Sequence, residues 1–237
     1  MKNKKQYSFM FGRRLTMKKS ALNIWCDRLW LYFIYLSGIV MLNILIVGWN
    51  DMLTAQKITC MLAILIPVHV FEENTFPGGF FYQNNLGIGS KDPMVYPQNR
   101  LTNMITNMGA EITFIVLMIL TPTIPYAAVT VAIAFGILET FNHSRQGVMM
   151  YRRYHDRGKA TLYAPGAMSC WLGLLELSVY GWSWIASQPA MVSDILSGIG
   201  ITIGIAVCFI MIPLAINTHI KSANFAFTRK GYYEKYN

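Results

Sequence analysis

Between Leu29 and Asn50 the chain runs for 22 residues without a charged side chain. At 1.5 Å per residue, a helix of about that length crosses a hydrocarbon core of roughly 30 Å. Such a block leaves few folds open, because in lipid every backbone N–H and C=O must be satisfied inside the segment. It does not read as a cleavable leader: it is too long, a large arm precedes it, and no small-residue cleavage site follows. A second apolar run, Ile58–Phe71, has 14 residues and reaches spanning length if it begins near Met52 and Lys57 turns its ammonium to the interface. The 43 residues from Leu101 to His143 are interrupted by Thr121-Pro122-Thr123-Ile124-Pro125, and two prolines so close together predict a turn between spans 104–121 and 125–143. Residues 166–186 and 195–215 supply two more. Charged residues make up 13% of the chain, against about 25% in soluble domains, so a disordered chain is excluded and a water-soluble globule fits poorly.

The basic residues set a direction. There are 20 Lys+Arg against 11 Asp+Glu, a net charge of +9. With six spans and a cytoplasmic N-terminus, every basic residue except Lys57 falls inside, a split of 19 to 1. Were Ile112–Leu138 a single span, the Arg145–Lys159 cluster would face outward. The expectation is therefore an all-α, polytopic membrane helix bundle of about six transmembrane helices with both termini cytoplasmic. A basic arm covers 1–28, the transmembrane domain 29–220 with a cytoplasmic loop at 74–100, and a tail 221–237. Positive charge on so apolar a chain points to a cell-membrane surface and its lipids, not to nucleic acid. The arm reads as a basic anchor more readily than as an interfacial helix. The four cysteines are scattered, with no CxxC, and imply no disulfide framework.

Ionisable residues inside or beside spans are functional-site hypotheses by default. The second span ends Pro67-Val68-His69-Val70-Phe71-Glu72-Glu73, which puts His69 on a helix face with Glu72 and Glu73. The fourth ends Glu139-Thr140-Phe141-Asn142-His143, again with i, i+4 spacing, and the sixth ends Asn217-Thr218-His219. Spans two, four and six run in the same direction, so these ends should share one layer at the cytosolic boundary. Imidazole with carboxylate is a ligand set for zinc, iron or manganese. Pro67 and Pro213 should kink their spans and free the carbonyls near Ala63 and Phe209. His155, in a basic loop, reads as solvated. Glu111 and Glu176 lie deeper, as partners of the site, ion-path residues, or protonated carboxyls bonded across the bundle.

His69-x-x-Glu72-Glu73 closing a helix, then Pro77-Gly78-Gly79-Phe80, then His143, then Tyr163-x-Pro165-Gly166, resembles a bacterial family of small membrane proteins named for its HXXEE motif. The likeness covers roughly residues 58–215. It implies a bacterial inner-membrane protein and supplies no substrate. That family commonly carries Asn four residues before its second His, where this chain has Glu139, so Glu139 is the less secure ligand.

One ion held by His69, Glu72 or Glu73, and His143 would keep a position for water, lower its pKa and polarise a bound carbonyl or phosphoryl oxygen. The spare glutamate of the 72/73 pair would serve as general base. Glu139 and His219 are additional ligand candidates. This describes a metal-dependent hydrolase or transferase acting on an amphiphilic, lipid-like substrate. The loop at 74–100 would form a partial lid, and Arg152 and Arg153 would attract an anionic headgroup. A di-iron oxidoreductase is a lower-ranked version, because paired ExxH motifs are missing. The competing class is non-enzymatic: the permease subunit of a small ABC-2-like exporter, or another transport protein. It would need an ATPase partner, since this chain has no GxxxxGK[ST].

Overall fold

The computed structural model describes residues 20–236, and among them 78% are helical and none lies in a strand. The basic residues of the arm from Lys2 to Lys19 lie outside the described residues. Seven helices organise the rest: α1 Ala21–Gly48, α2 Thr54–Asn74, α3 Phe80–Gly87, α4 Arg100–Leu120, α5 Pro125–Tyr154, α6 at 167–186 and α7 Val192–Ile220. Five of them, α1, α2, α4, α5 and α7, are long and apolar enough to cross a membrane. α6 is unbroken over comparable length, but its tryptophans, serines and Glu176 make it less apolar.

The Thr121–Pro125 segment is the turn that its prolines predict. α4 stops at Leu120, and Pro125 opens α5, where a missing N–H costs nothing. α2 begins at Thr54, and Lys57 lays its ammonium 4.6 Å from the Trp49 ring centroid. α1 begins at Ala21, so the last part of the expected arm is already helix. α5 departs further from expectation. It continues through Tyr154, and the basic stretch from Arg145 is helix, not loop. Gln146, Gly147, Met150 and Tyr154 recur at helical spacing and are buried, which gives these extra turns an inner face. Arg145, Arg152 and Arg153 stay exposed.

The helices pack through small residues, as expected where lipid tails are as apolar as the side chains. The Pro67 ring seats on Gly38, joining α2 to α1. Gly136 faces Leu174 and Ser178 across α5 and α6, and Gly198 faces Ala127 and Thr130 across α7 and α5. Pro67 leaves α2 continuous. Pro213 follows a π-helical stretch, Ala206–Met211, in α7. The Phe209 carbonyl that Pro213 cannot engage instead accepts a 2.6 Å hydrogen bond from the Thr106 hydroxyl of α4.

All the long connections meet at one end of the bundle. The Tyr232 amide donates to Gly78 O at 3.0 Å, Arg100 Nε to Ala226 O at 3.0 Å, and Asn217 Nδ2 to Pro97 O at 2.9 Å. The segment after α2, the segment before α4 and the C-terminal tail thus form one cap, with α3 inside it.

Candidate metal centre

His69, Glu73 and Glu139 line a cavity of about 100 Å³ beneath this cap, and His143 stands behind them. His143 is completely buried, and His69 and Glu73 are each 4% exposed. The two imidazoles meet edge to face with centroids 4.9 Å apart. Glu73 Oε1 lies 3.4 Å from His69 Nε2 and 3.2 Å from His143 Nε2, and Glu139 Oε2 lies 3.5 Å from His143 Nε2.

The surroundings fix which nitrogen of each ring carries hydrogen. His143 Nδ1 is 3.0 Å from Pro165 O, a pure acceptor, so Nδ1 must be the donor. His69 Nδ1 is 2.9 Å from Ser169 Oγ. Ser169 gives its own hydrogen to Glu72 Oε2 at 2.6 Å, so its oxygen accepts from His69. Both Nε2 atoms therefore turn toward the carboxylate oxygen of Glu73. Neutral imidazoles would aim lone pairs at a negative oxygen, an arrangement that either a proton on Nε2 or a bound cation would relieve. Protons on Nε2 would give charge-assisted bonds of about 2.7–2.9 Å. The observed 3.2–3.5 Å is longer, and His143 Nε2, though buried, has no aligned hydrogen-bond partner. Donor atoms placed about 2.0–2.1 Å from a tetrahedral ion lie roughly 3.3–3.4 Å from one another. The two separations from Glu73 Oε1, 3.4 and 3.2 Å, lie near that spacing.

The motifs that surround His143 each have a contact. Phe80 stacks on its ring at 4.8 Å centroid distance. On another side Gly166, at φ 91°, comes so close that a Cβ there would run into the imidazole. The Tyr163 hydroxyl donates to Glu72 Oε1 at 3.0 Å, and burial together with that carboxylate holds the phenol well above its ordinary range, so it remains a donor.

Glu72 occupies a different place from the one its motif suggests. Its oxygens also accept from the backbone amides of Met168, at 3.1 Å, and Ser169, at 2.8 Å. It caps the positive end of α6, and its acceptor positions are taken up there and by Tyr163, away from the two imidazoles. Its reach to the centre is indirect, through Ser169 to His69. His219 is exposed and does not line the cavity. Pro213 and Asn217, four residues apart, define the inward face of α7, and position 219 is turned about 200° from 217. Instead α7 brings Ile205, Phe209, Ile210 and Leu214 to the cavity wall. Glu111 is buried and accepts a 2.6 Å hydrogen bond from Ser37, the cross-bundle arrangement among the alternatives. Glu176 is exposed on the outer surface of α6, so it partners nothing in the site.

Sequence reasoning did not anticipate Cys170. It is fully buried in the π turn of α6, with Sγ 3.7 Å from His69 Nδ1, and one donor atom each from His69, His143 and Cys170 lies within 4.8 Å of the others. Its only signal in the sequence is a position four residues after Gly166, the length of one helical turn.

Compared with protein-family models, with curated proteins and with solved structures, the chain matches none.

Proposed function

We propose that this chain is a multi-pass cell-membrane protein with six crossings and both ends cytoplasmic, built around a mononuclear metal centre that acts on an amphiphilic substrate. α6 is the sixth crossing. The 19-to-1 distribution of basic residues supports the orientation, because all the long connections gather at one end. The HXXEE resemblance rests on the motifs alone, and their convergence around His143 favours treating them as one unit.

The observation that carries the metal reading is Glu73 Oε1 standing 3.4 and 3.2 Å from the Nε2 atoms of two imidazoles whose Nδ1 hydrogens are already committed. His69, His143 and Glu73 make a His2Glu set, of the kind that leaves a catalytic zinc a fourth position for water. Glu139 borders both that position and the cavity. It is the carboxylate that yields to water and then takes its proton, the role first assigned to Glu72 or Glu73. Zinc suits the donors best, with iron or manganese next.

The cavity's lining is amphipathic, and at about 100 Å³ it would take the reacting group of a substrate whose remainder lies outside it. Asn84, Gln98, Asn107 and Asn142 supply polar groups, and Ile66, Phe135, Phe209 and Leu214 supply an apolar wall between helices. The reaction is hydrolysis or group transfer at headgroup depth. A permease subunit would keep His69 and His143 as independent interfacial residues, and their burial at 4.9 Å centroid separation favours a shared centre. The test is product formation from bacterial lipid extract in nanodiscs, followed by mass spectrometry. Glu139→Gln should keep its metal and lose turnover by at least about 100-fold, the scale of a general base. Equal turnover with Glu139→Gln, or turnover that survives a chelator, contradicts the proposal.

A further inference from the structure

The C-terminal tail reaches the centre through a buried hydrogen-bond chain. Tyr233 is fully buried and donates its hydroxyl to Gln83 Oε1. Gln83, also fully buried on α3, donates Nε2 to Pro165 O at 3.1 Å. The same carbonyl accepts His143 Nδ1 at 3.0 Å, so its two lone pairs are both engaged. The amide of Gln83 has one workable orientation. Turned over, it would set its oxygen against Pro165 O, which can only accept, and that repulsion decides against it. Close backbone contact holds the tail in place. The Tyr232 amide donates to Gly78 O, and a Cβ at Gly231 would meet the Gly78 carbonyl at 2.6 Å, so only glycine fits the seam. Tyr82 and Tyr154 flank the Tyr233 ring, each with centroids 5.8 Å away.

We infer that the C-terminal tail completes the metal centre through one side chain, Tyr233, which with Gln83 acts as a positioning residue that holds Pro165 O and, through it, the orientation of His143. Neither touches the ion or the substrate. The inference rests on the metal reading above and extends it from helix ends to the last turn of the chain. It also explains why the PGG segment after α2 and the tail are built against one another, although neither supplies a ligand.

Cobalt(II) is the probe, because its visible absorption reports coordination geometry directly. Purified full-length protein is titrated with Co²⁺, and Tyr233→Phe, Gln83→Leu and Tyr236→Phe are compared. Tyr236 lies on the same tail turn, but its hydroxyl meets that of Tyr232 at 3.2 Å. Tyr233→Phe and Gln83→Leu should each weaken Co²⁺ binding about tenfold, the lower bound for partners outside the ligand shell, and shift the visible band. The double variant should be no worse than Gln83→Leu alone, and Tyr236→Phe should match wild type. Wild-type affinity and spectrum in both Tyr233→Phe and Gln83→Leu overturn the inference. So does an equal loss in Tyr236→Phe, which would reduce the effect to tail packing. Should Tyr233→Phe fail to fold, Gln83→Leu carries the test against the same control. A wild-type chain that binds no Co²⁺ overturns the centre itself, a different result from either.

Discussion

Glu72 and Glu73 are neighbours in sequence with opposite employment. Glu73 turns toward two imidazoles, and Glu72 caps the helix that carries Ser169 and Cys170. Glu73→Gln should abolish metal retention, read as metal per chain after desalting. Glu72→Gln should retain the ion with affinity reduced about 10- to 100-fold, and lose about 1–2 kcal/mol of stability with its cap. Cys170→Ser tests the other donor set. Occupancy should stay at wild type, since His69 Nδ1, 3.7 Å from its sulfur, already serves Ser169. Loss of metal there would make Cys170 a ligand. The motif spacing marked His69, Glu73, Glu139 and His143 as candidates. It could not separate Glu72 from Glu73, because i+3 and i+4 both satisfy a helix face. What separates them is α6, nearly 100 residues away, which claims one of the two.

At the scale of elements, the extent of the apolar helices was legible and their rotation was not. Uncharged blocks and the proline pair at 122 and 125 placed the apolar helices and the turn between α4 and α5. None of these signals says which face of α7 looks inward, and so His219 looked equivalent to His69 and His143. Pro213 decides its rotation, by leaving the Phe209 carbonyl to Thr106. Thr106→Val should therefore cost about 1 kcal/mol in a detergent unfolding assay. His219→Ala should leave metal content unchanged, and a loss would return His219 to the ligand set. The extension of α5 to Tyr154 was missed because Arg145, Arg152 and Arg153 dominate the stretch, while the buried positions that make it a helix are Gln, Gly, Met and Tyr.

Over the whole molecule, the tail, the loops and the centre form one capped end, and a buried lysine gives that cap a pH signature. Lys159 is 1% exposed, donates to Tyr163 O, and lies 5.0 Å from the Tyr232 ring centroid. Burial, with Lys235 nearby, brings its ammonium from an ordinary 10.5 down to about 8. Between those values the unfolded chain holds a proton that the folded chain has released, so stability rises with pH across that window. Below about 8 both states are protonated and the cost is constant. The melting-temperature difference between Lys159→Met and wild type should shrink as pH rises from 8 toward 10, and a difference independent of pH would place Lys159 in water.

The proposed centre is one ion shared by residues from two helices that are far apart in the chain. Elemental analysis of protein purified without added metal, wild type beside the His69→Ala/His143→Ala double variant, addresses it most directly. The prediction is about one zinc, iron or manganese ion per wild-type chain and none in the monodisperse double variant. A wild-type chain free of metal, or equal metal in both proteins, would contradict it.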